Sequence, residues 1–174
     1  EAFLLPAIIL VMYVICMIAR KITLRSSTDD EKTARNLDIG DTIILLLLVF
    51  FNVLCVFLLT IMRDPSVMTS DSSLFFLILC SAMGILFILM GNIMPKTKPN
   101  AFLGMRLSFA MDTDEHWYIA NRAGGIAMVL AGLCTVIAGL IFRSLTSVFV
   151  MAGSLIVFLT VASIYSYVII KKRK

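Results

Sequence analysis

Charge is what the long apolar stretches of this chain lack. No Asp, Glu, Lys, Arg or His falls clearly inside any of five apolar runs, at about residues 2–19, 42–62, 74–93, 124–142 and 145–170. Ionisable groups held within a membrane mark proton relays, ion pathways and voltage sensors, so ion-coupled pumping and voltage sensing are set aside. Histidine occurs once, as His116. Cys16, Cys55, Cys80 and Cys134 each lie in an apolar run, with no CxxC spacing. Zinc needs several such ligands brought together, so no metal and no cofactor are expected. Asp112, Asp114, Glu115 and His116 could group around a divalent ion, but the first three also make an ordinary helix start. Ser108 precedes His116 by eight positions without a GxSxG turn, and no phosphate-binding P-loop is present. The chain is therefore read as a non-enzyme.

What the chain has in abundance is apolar surface. Of 174 residues, 60% are apolar and 15% charged, against about 45–50% and about 25% in a soluble domain. The runs reach or approach the roughly 20 residues that cross a bilayer core. The expected fold is an all-α integral membrane protein, one domain over residues 1–174, built as a bundle of about five transmembrane helices. The first run lacks the basic flank of a signal peptide, and Pro6 falls in its opening turns, where a missing N–H is tolerated.

The Lys and Arg residues are distributed unevenly. Thirteen fall in the loops after the first and third spans and in the tail, and two, Arg63 and Arg143, fall on the other side. Such residues gather on the cytoplasmic side, so the N-terminus is expected outside and the C-terminus in the cytoplasm, as a multi-pass protein of the cell membrane. The net charge of +4 follows from this asymmetry. The tail, Lys171 to Lys174, is read as meeting anionic headgroups and not nucleic acid. The first loop is read as a solvated cytoplasmic connector; the alternative is a short helix near Asp29 capped by Ser27 or Thr28, with Glu31 and Arg35 paired four residues apart.

Within the spans, Asn52 has several hydrogen-bonding positions to satisfy. It is expected to bond to a neighbouring helix and fix its rotation, with a polar cavity lining as the alternative. Gly125, Gly132 and Gly139 recur every seven residues, Gly124 adjoins them, and Gly84 and Gly91 repeat the same step on the third span. Small side chains let helix backbones approach closely, so the third and fourth spans are expected to pack together.

Between those spans lies "GNIMPKTKPNAFLGMR", residues 91–106, then "DTDEHWYIANRAGG", residues 112–125. Pro95 cannot continue a helix, Pro99 holds Lys98 extended, and Gly104 permits a sharp turn before Arg106. Asp112 is expected to cap a short amphipathic helix, with Glu115 closing the box. That helix would carry Trp117 and Asn121 on one face and could run on past Gly124. Phe102, Phe109, Trp117 and Tyr118 suit the bilayer interface. The result is a semi-rigid cytoplasmic platform of Lys96, Lys98, Asn100, Arg106, Asp112, Glu115, Trp117, Asn121 and Arg122. It serves either as a binding surface or as interfacial anchoring, with ion pairs such as Arg106 or Arg122 to Asp114 or Glu115.

The same residues resemble the SdpI family of bacterial membrane proteins, whose pattern is similar to G-N-x-x-P-K-x-[KR]-P-N-x-x-x-G-x-R, a spacer, then W-x-x-[TA]-H-R-x-x-G. The resemblance is strong over about residues 84–132. It departs at Leu107, Ser108, Phe109 and Ala110, where the family often reads T-P-W-T, and at Asn121, where the family often has His. Many relatives carry a further N-terminal helix, which is not expected here. The resemblance implies immunity to a secreted peptide toxin, and a receptor that holds a transcriptional autorepressor at the membrane. It places Asn92, Pro95, Lys96, Pro99, Asn100, Gly104, Arg106, Trp117, Arg122 and Gly125 at the platform. The alternatives are a membrane enzyme or carrier acting on a lipid or small anion at the Lys/Arg-rich loop, and a structural subunit that packs through its glycine faces.

Overall fold

The computed structural model describes residues 10–11, 13–14, 17–18, 20–21, 30–63, 72–99 and 104–173, with residues 30–36 and 72 in backbone only. These residues are helical apart from loops and two 3₁₀ turns, Met94–Lys96 and Ser108–Ala110. The long helices are α1 (Asp30–Arg63), α2 (Ser72–Ile93), α3 (Asp114–Phe142) and α4 (Leu145–Arg173). Among the described residues four stretches are long and apolar enough to cross a membrane, one on each helix. Of the expected first span, the described residues between 10 and 21 are helical. Pro6 and the rest of that span lie outside the described residues.

The contacts group into two compact units, Glu1–Asp71 and Ser72–Lys174. In the first, α1 begins twelve residues before the expected start of its span. The polar stretch ahead of Thr42 contains no proline and only one glycine, Gly40, so nothing stops the span's helix from extending through it. The end of the expected connector and the span are thus one helix. Ser27, Thr28 and the side chains of Glu31 and Arg35 lie outside the described residues. Asp41 pairs with Arg20 at 3.2 Å. Asn52 differs from expectation. Its Nδ2 donates to the Leu48 carbonyl of its own helix at 2.8 Å, on an exposed face.

In the second unit, α2 and α3 run antiparallel in direct backbone contact. A β-carbon added at Gly84 would lie 2.7 Å from the Gly132 carbonyl oxygen, and one at Gly132 would lie 2.6 Å from that of Gly84. Gly91 and Gly125 repeat the arrangement at 2.6 and 2.5 Å. One step further along, a β-carbon at Gly139 would come within 2.7 Å of Cys80 Cβ. The seven-residue step produces this ladder, because two helical turns return each glycine to the same face. Lipid tails are as apolar as leucine, so helices in a bilayer are held by dispersion and close fit, not by expulsion of water. Glycine supplies that fit.

α3 ends at Arg143, whose backbone is left-handed, with φ 44°. α4 starts at once. The Ser144 carbonyl accepts from the Ser147 backbone N–H at 2.9 Å and from its hydroxyl at 2.6 Å. The Cys80 thiol donates to Ser147 Oγ at 3.3 Å, which ties α2 into the same corner. α3 is the central helix of this unit, with Ala120, Ala127, Ala131 and Ala138 buried. Large apolar residues such as Ile126, Ile137, Phe149 and Ile164 are exposed, the surface a bilayer would solvate.

Candidate functional site

Of the two courses open to the amphipathic stretch, the structure has the continuous one: it is the opening of α3, which runs unbroken from Asp114 through Gly124 and Gly125. Its cap is Thr113, not Asp112. Thr113 is extended, and its hydroxyl oxygen accepts from the His116 backbone N–H at 3.1 Å. A cap reaches the N–H two or three residues on, and Asp112 stands one position too early for this start. Asp114 and Glu115 occupy the first turn, where they oppose the positive helix end.

One turn further on, the chain builds a clasp. Trp117 is 1% exposed, and its indole N–H donates to the Thr97 carbonyl at 2.9 Å. Thr97 is itself buried, and its hydroxyl donates to the Met94 carbonyl at 2.8 Å, closing the turn that holds Pro95. Asn121 is fully buried. Its Nδ2 donates to the Trp117 carbonyl at 3.0 Å, and its Oδ1 accepts from the Met105 backbone N–H at 2.7 Å. Gly104 crosses above with φ +99°, and a β-carbon there would meet the Asn121 amide and lie 2.9 Å from Trp117 Cζ2. Gly104 therefore meets two requirements for glycine at once, a left-handed backbone and close approach to an aromatic ring. Gly124 lies beneath the side chains of Met94 and Met105, and Gly125 faces the Pro95 ring and the Gly91 carbonyl.

The clasp thus joins the exit of α2, the loop and the start of α3 through three side chains whose polar atoms are satisfied by backbone. Trp117 lies inside the protein and not at the lipid interface, because its N–H finds a carbonyl within the fold. Phe109 packs edge-on to Tyr167 of α4, with ring centroids 5.3 Å apart. Tyr118 is exposed, accepts from Arg122 Nη1 at 3.3 Å, and holds the guanidinium 5.9 Å from its ring centre. Phe102 lies outside the described residues.

The residues expected at one platform therefore divide by burial. Trp117, Asn121 and Gly125 are buried within the clasp, beside Gly124 of the packing face. Asn92, Lys96, Arg106, Asp112, Glu115 and Arg122 are exposed around it. Lys98, Pro95 and Pro99 are half-buried, and Asn100 lies outside the described residues. Asn92 donates back to the Ile88 carbonyl at 2.9 Å. Glu115 pairs with Arg173 at the end of α4, not with Arg106 or Arg122. His116 Nδ1 is 4.0 Å from Asp112 Oδ2.

Sequence reasoning missed Thr97, Met105 and Arg173. Thr97 and Met105 contribute backbone atoms, which no side-chain pattern announces, and Arg173 is one cation among four in the tail. Because Glu115 and Arg173 are each about 60% exposed, their pairing is expected to contribute little. A double-mutant cycle with Glu115→Gln and Arg173→Gln should give a coupling of about 0.2–1 kcal/mol in thermal melts, lower in high salt. A coupling of several kcal/mol would show that the α4 end is a main strut of the clasp.

Residues 96–166 match the SdpI/YfhL protein family. The SdpI/YfhL match and the resemblance drawn from the motif name the same family, with shifted limits. The match starts at Lys96, takes in Thr97, Trp117 and Asn121, covers all of α3, and stops within α4 at Ser166. The Gly84 to Pro95 stretch lies ahead of it. With its apolar helices, the chain is a multi-pass membrane protein carrying an SdpI/YfhL segment. No curated protein and no solved structure matches it.

Proposed function

We propose that this protein is an SdpI-like membrane immunity or receptor protein, one that resists a secreted peptide toxin and holds a transcriptional repressor at the membrane. The observation that carries this reading is the family match over residues 96–166, which take in Thr97, Trp117 and Asn121 of the clasp, all of α3, and α4 as far as Ser166. Charge supports the orientation. Lys96, Lys98, Arg106, Arg122, Lys171, Lys172 and Arg173 lie toward the clasp end of the second unit, and Arg143 at the other end. Lys and Arg mark the cytoplasmic side, so the clasp faces the cytoplasm and the α3–α4 turn faces out.

The mechanism follows from the division of residues. An apolar toxin enters the bilayer beside the bundle and meets exposed aliphatic surface. The glycine ladder and the clasp link the spans to the exposed rim, so a shift in helix packing reaches Lys96, Arg106 and Arg122. Those side chains can engage the acidic surface of a cytoplasmic partner, since none is buried.

Expression in a toxin-sensitive cell tests the reading. The chain should protect the cell, and Arg106→Ala combined with Arg122→Ala should impair protection or repressor recruitment while membrane insertion stays normal. Failure to protect against every peptide toxin tried, including one encoded next to this gene, would count against it. The same exposed cations also favour a second reading, an enzyme or carrier for a lipid or small anion. Turnover or transport of an anionic substrate, lost in Arg106→Ala, would select that reading instead.

A further inference from the structure

Arg106 stands between two anchors. On one side Met105 is held to α3. Its backbone N–H donates to Asn121 Oδ1 at 2.7 Å, and its thioether lies over Gly124. On the other side Ala110 is fully buried, and Phe109 packs against Tyr167 of α4. The second anchor is apolar packing on two residues. The first holds the backbone by a single hydrogen bond, and among the described residues no other reaches the main chain of Gly104, Met105 or Arg106. Asn121 suits that task. It is fully buried, and its Nδ2 is engaged by the Trp117 carbonyl, so the carboxamide is held with its oxygen toward Met105. The Arg106 side chain is exposed, and its guanidinium meets no partner among the described residues. Arg122 and Arg173, by contrast, are engaged by Tyr118 and Glu115.

We infer that Asn121 is a positioning residue for Arg106, fixing the loop backbone so that the guanidinium is presented in one place to a carboxylate of the partner. The inference rests on the role given to the rim above. A guanidinium grips a carboxylate through two parallel bonds only at a defined angle, and a backbone ordered beforehand need not be ordered on binding. Without the Asn121 oxygen, the partly buried Met105 N–H is left unmet, which is costly unless it moves to water. The loop then lifts at Met105, and Arg106 loses its fixed place.

A spin label at Arg106→Cys tests this in the full chain, with Cys16 and Cys134 replaced by Ser, in lipid vesicles. The label should move slowly in the otherwise native chain and shift to fast motion in Asn121→Leu. Asn121→Asp keeps an acceptor for Met105 but sets an oxygen against the Trp117 carbonyl, so it should melt lower while the label stays slow. Gly132→Ala, remote from the loop, should also melt lower with a slow label, and it serves alone if Asn121→Asp does not fold. A slow label in Asn121→Leu, or motion that follows melting temperature across the variants, would overturn the inference. With Arg106 restored, Asn121→Leu should lose protection in the toxin-sensitive cell as Arg106→Ala does, and full protection would also overturn it. A native chain that protects against nothing would strike the immunity reading alone, because the label reports the place of residue 106 without any toxin.

Discussion

Trp117→Ala is expected to lower stability by about 3–5 kcal/mol, the range for emptying the site of a fully buried aromatic residue. The loss is not of volume alone. The Thr97 carbonyl loses its donor, and the turn at Pro95 loses its hydrogen bond to α3 while keeping its packing on Gly125. Trp117→Phe keeps most of the ring and leaves the carbonyl unmet, which should cost about 1–3 kcal/mol. Thermal unfolding in one detergent measures both. The order Ala below Phe below wild type is required if the indole fills space and donates a hydrogen bond. A Trp117→Ala protein that melts with the wild type would place the residue outside the framework. Because Trp117 is buried, loss of function in that variant would come with loss of fold, whereas Arg106→Ala should lose function alone.

Gly132→Leu is expected to be comparably severe. Even the first carbon of a new side chain would stand 2.6 Å from the Gly84 carbonyl oxygen and 2.8 Å from Ile88 Cγ1. Backbone cannot swing away as a side-chain tip can, so α2 and α3 must separate along the ladder. Gly132→Ala should cost about 1–3 kcal/mol, the usual range for overpacking, and the leucine more. Gly153 on α4 is the control, because a β-carbon there has nothing within 4 Å. Gly153→Ala should be neutral or should stabilise by up to about 1 kcal/mol, the ordinary gain from removing a mid-helix glycine. Equal melting of Gly132→Leu and Gly153→Ala would mean that the glycine faces do not hold the helices together.

The glycine ladder was legible because its physics is periodic. Gly84 and Gly91 share a step with Gly125, Gly132 and Gly139, and two antiparallel helices with matching steps can face one another along their length. Thr113 was harder to find. Asp112 and Glu115 formed a plausible box, but the choice of cap depended on where the helix started, and Thr113 sits one residue nearer. Asn121 shows the limit most clearly. Its spacing from Trp117 put both on one face, yet which way that face pointed depended on Thr97 and Met105, whose backbone atoms complete the clasp. An aromatic residue beside charged ones reads as an interfacial anchor until a carbonyl waiting for its N–H is known. The ion pairs fared similarly, since Glu115 had several cations within reach of its own loop and paired with one 58 residues away.

Cysteine accessibility at the rim decides where the clasp faces. Arg106→Cys places a thiol at an exposed position beside Met105; the native Cys55 and Cys80 are buried and Cys134 is half-buried, so the variants are made with Cys16 and Cys134 replaced by Ser. With a membrane-impermeant maleimide, Arg106→Cys should stay unlabelled in intact cells and react fully once the membrane is opened, while Arg143→Cys at the opposite end should react in intact cells. Labelling of Arg106→Cys from outside, with Arg143→Cys protected, would reverse the orientation and take the rim away from any cytoplasmic partner.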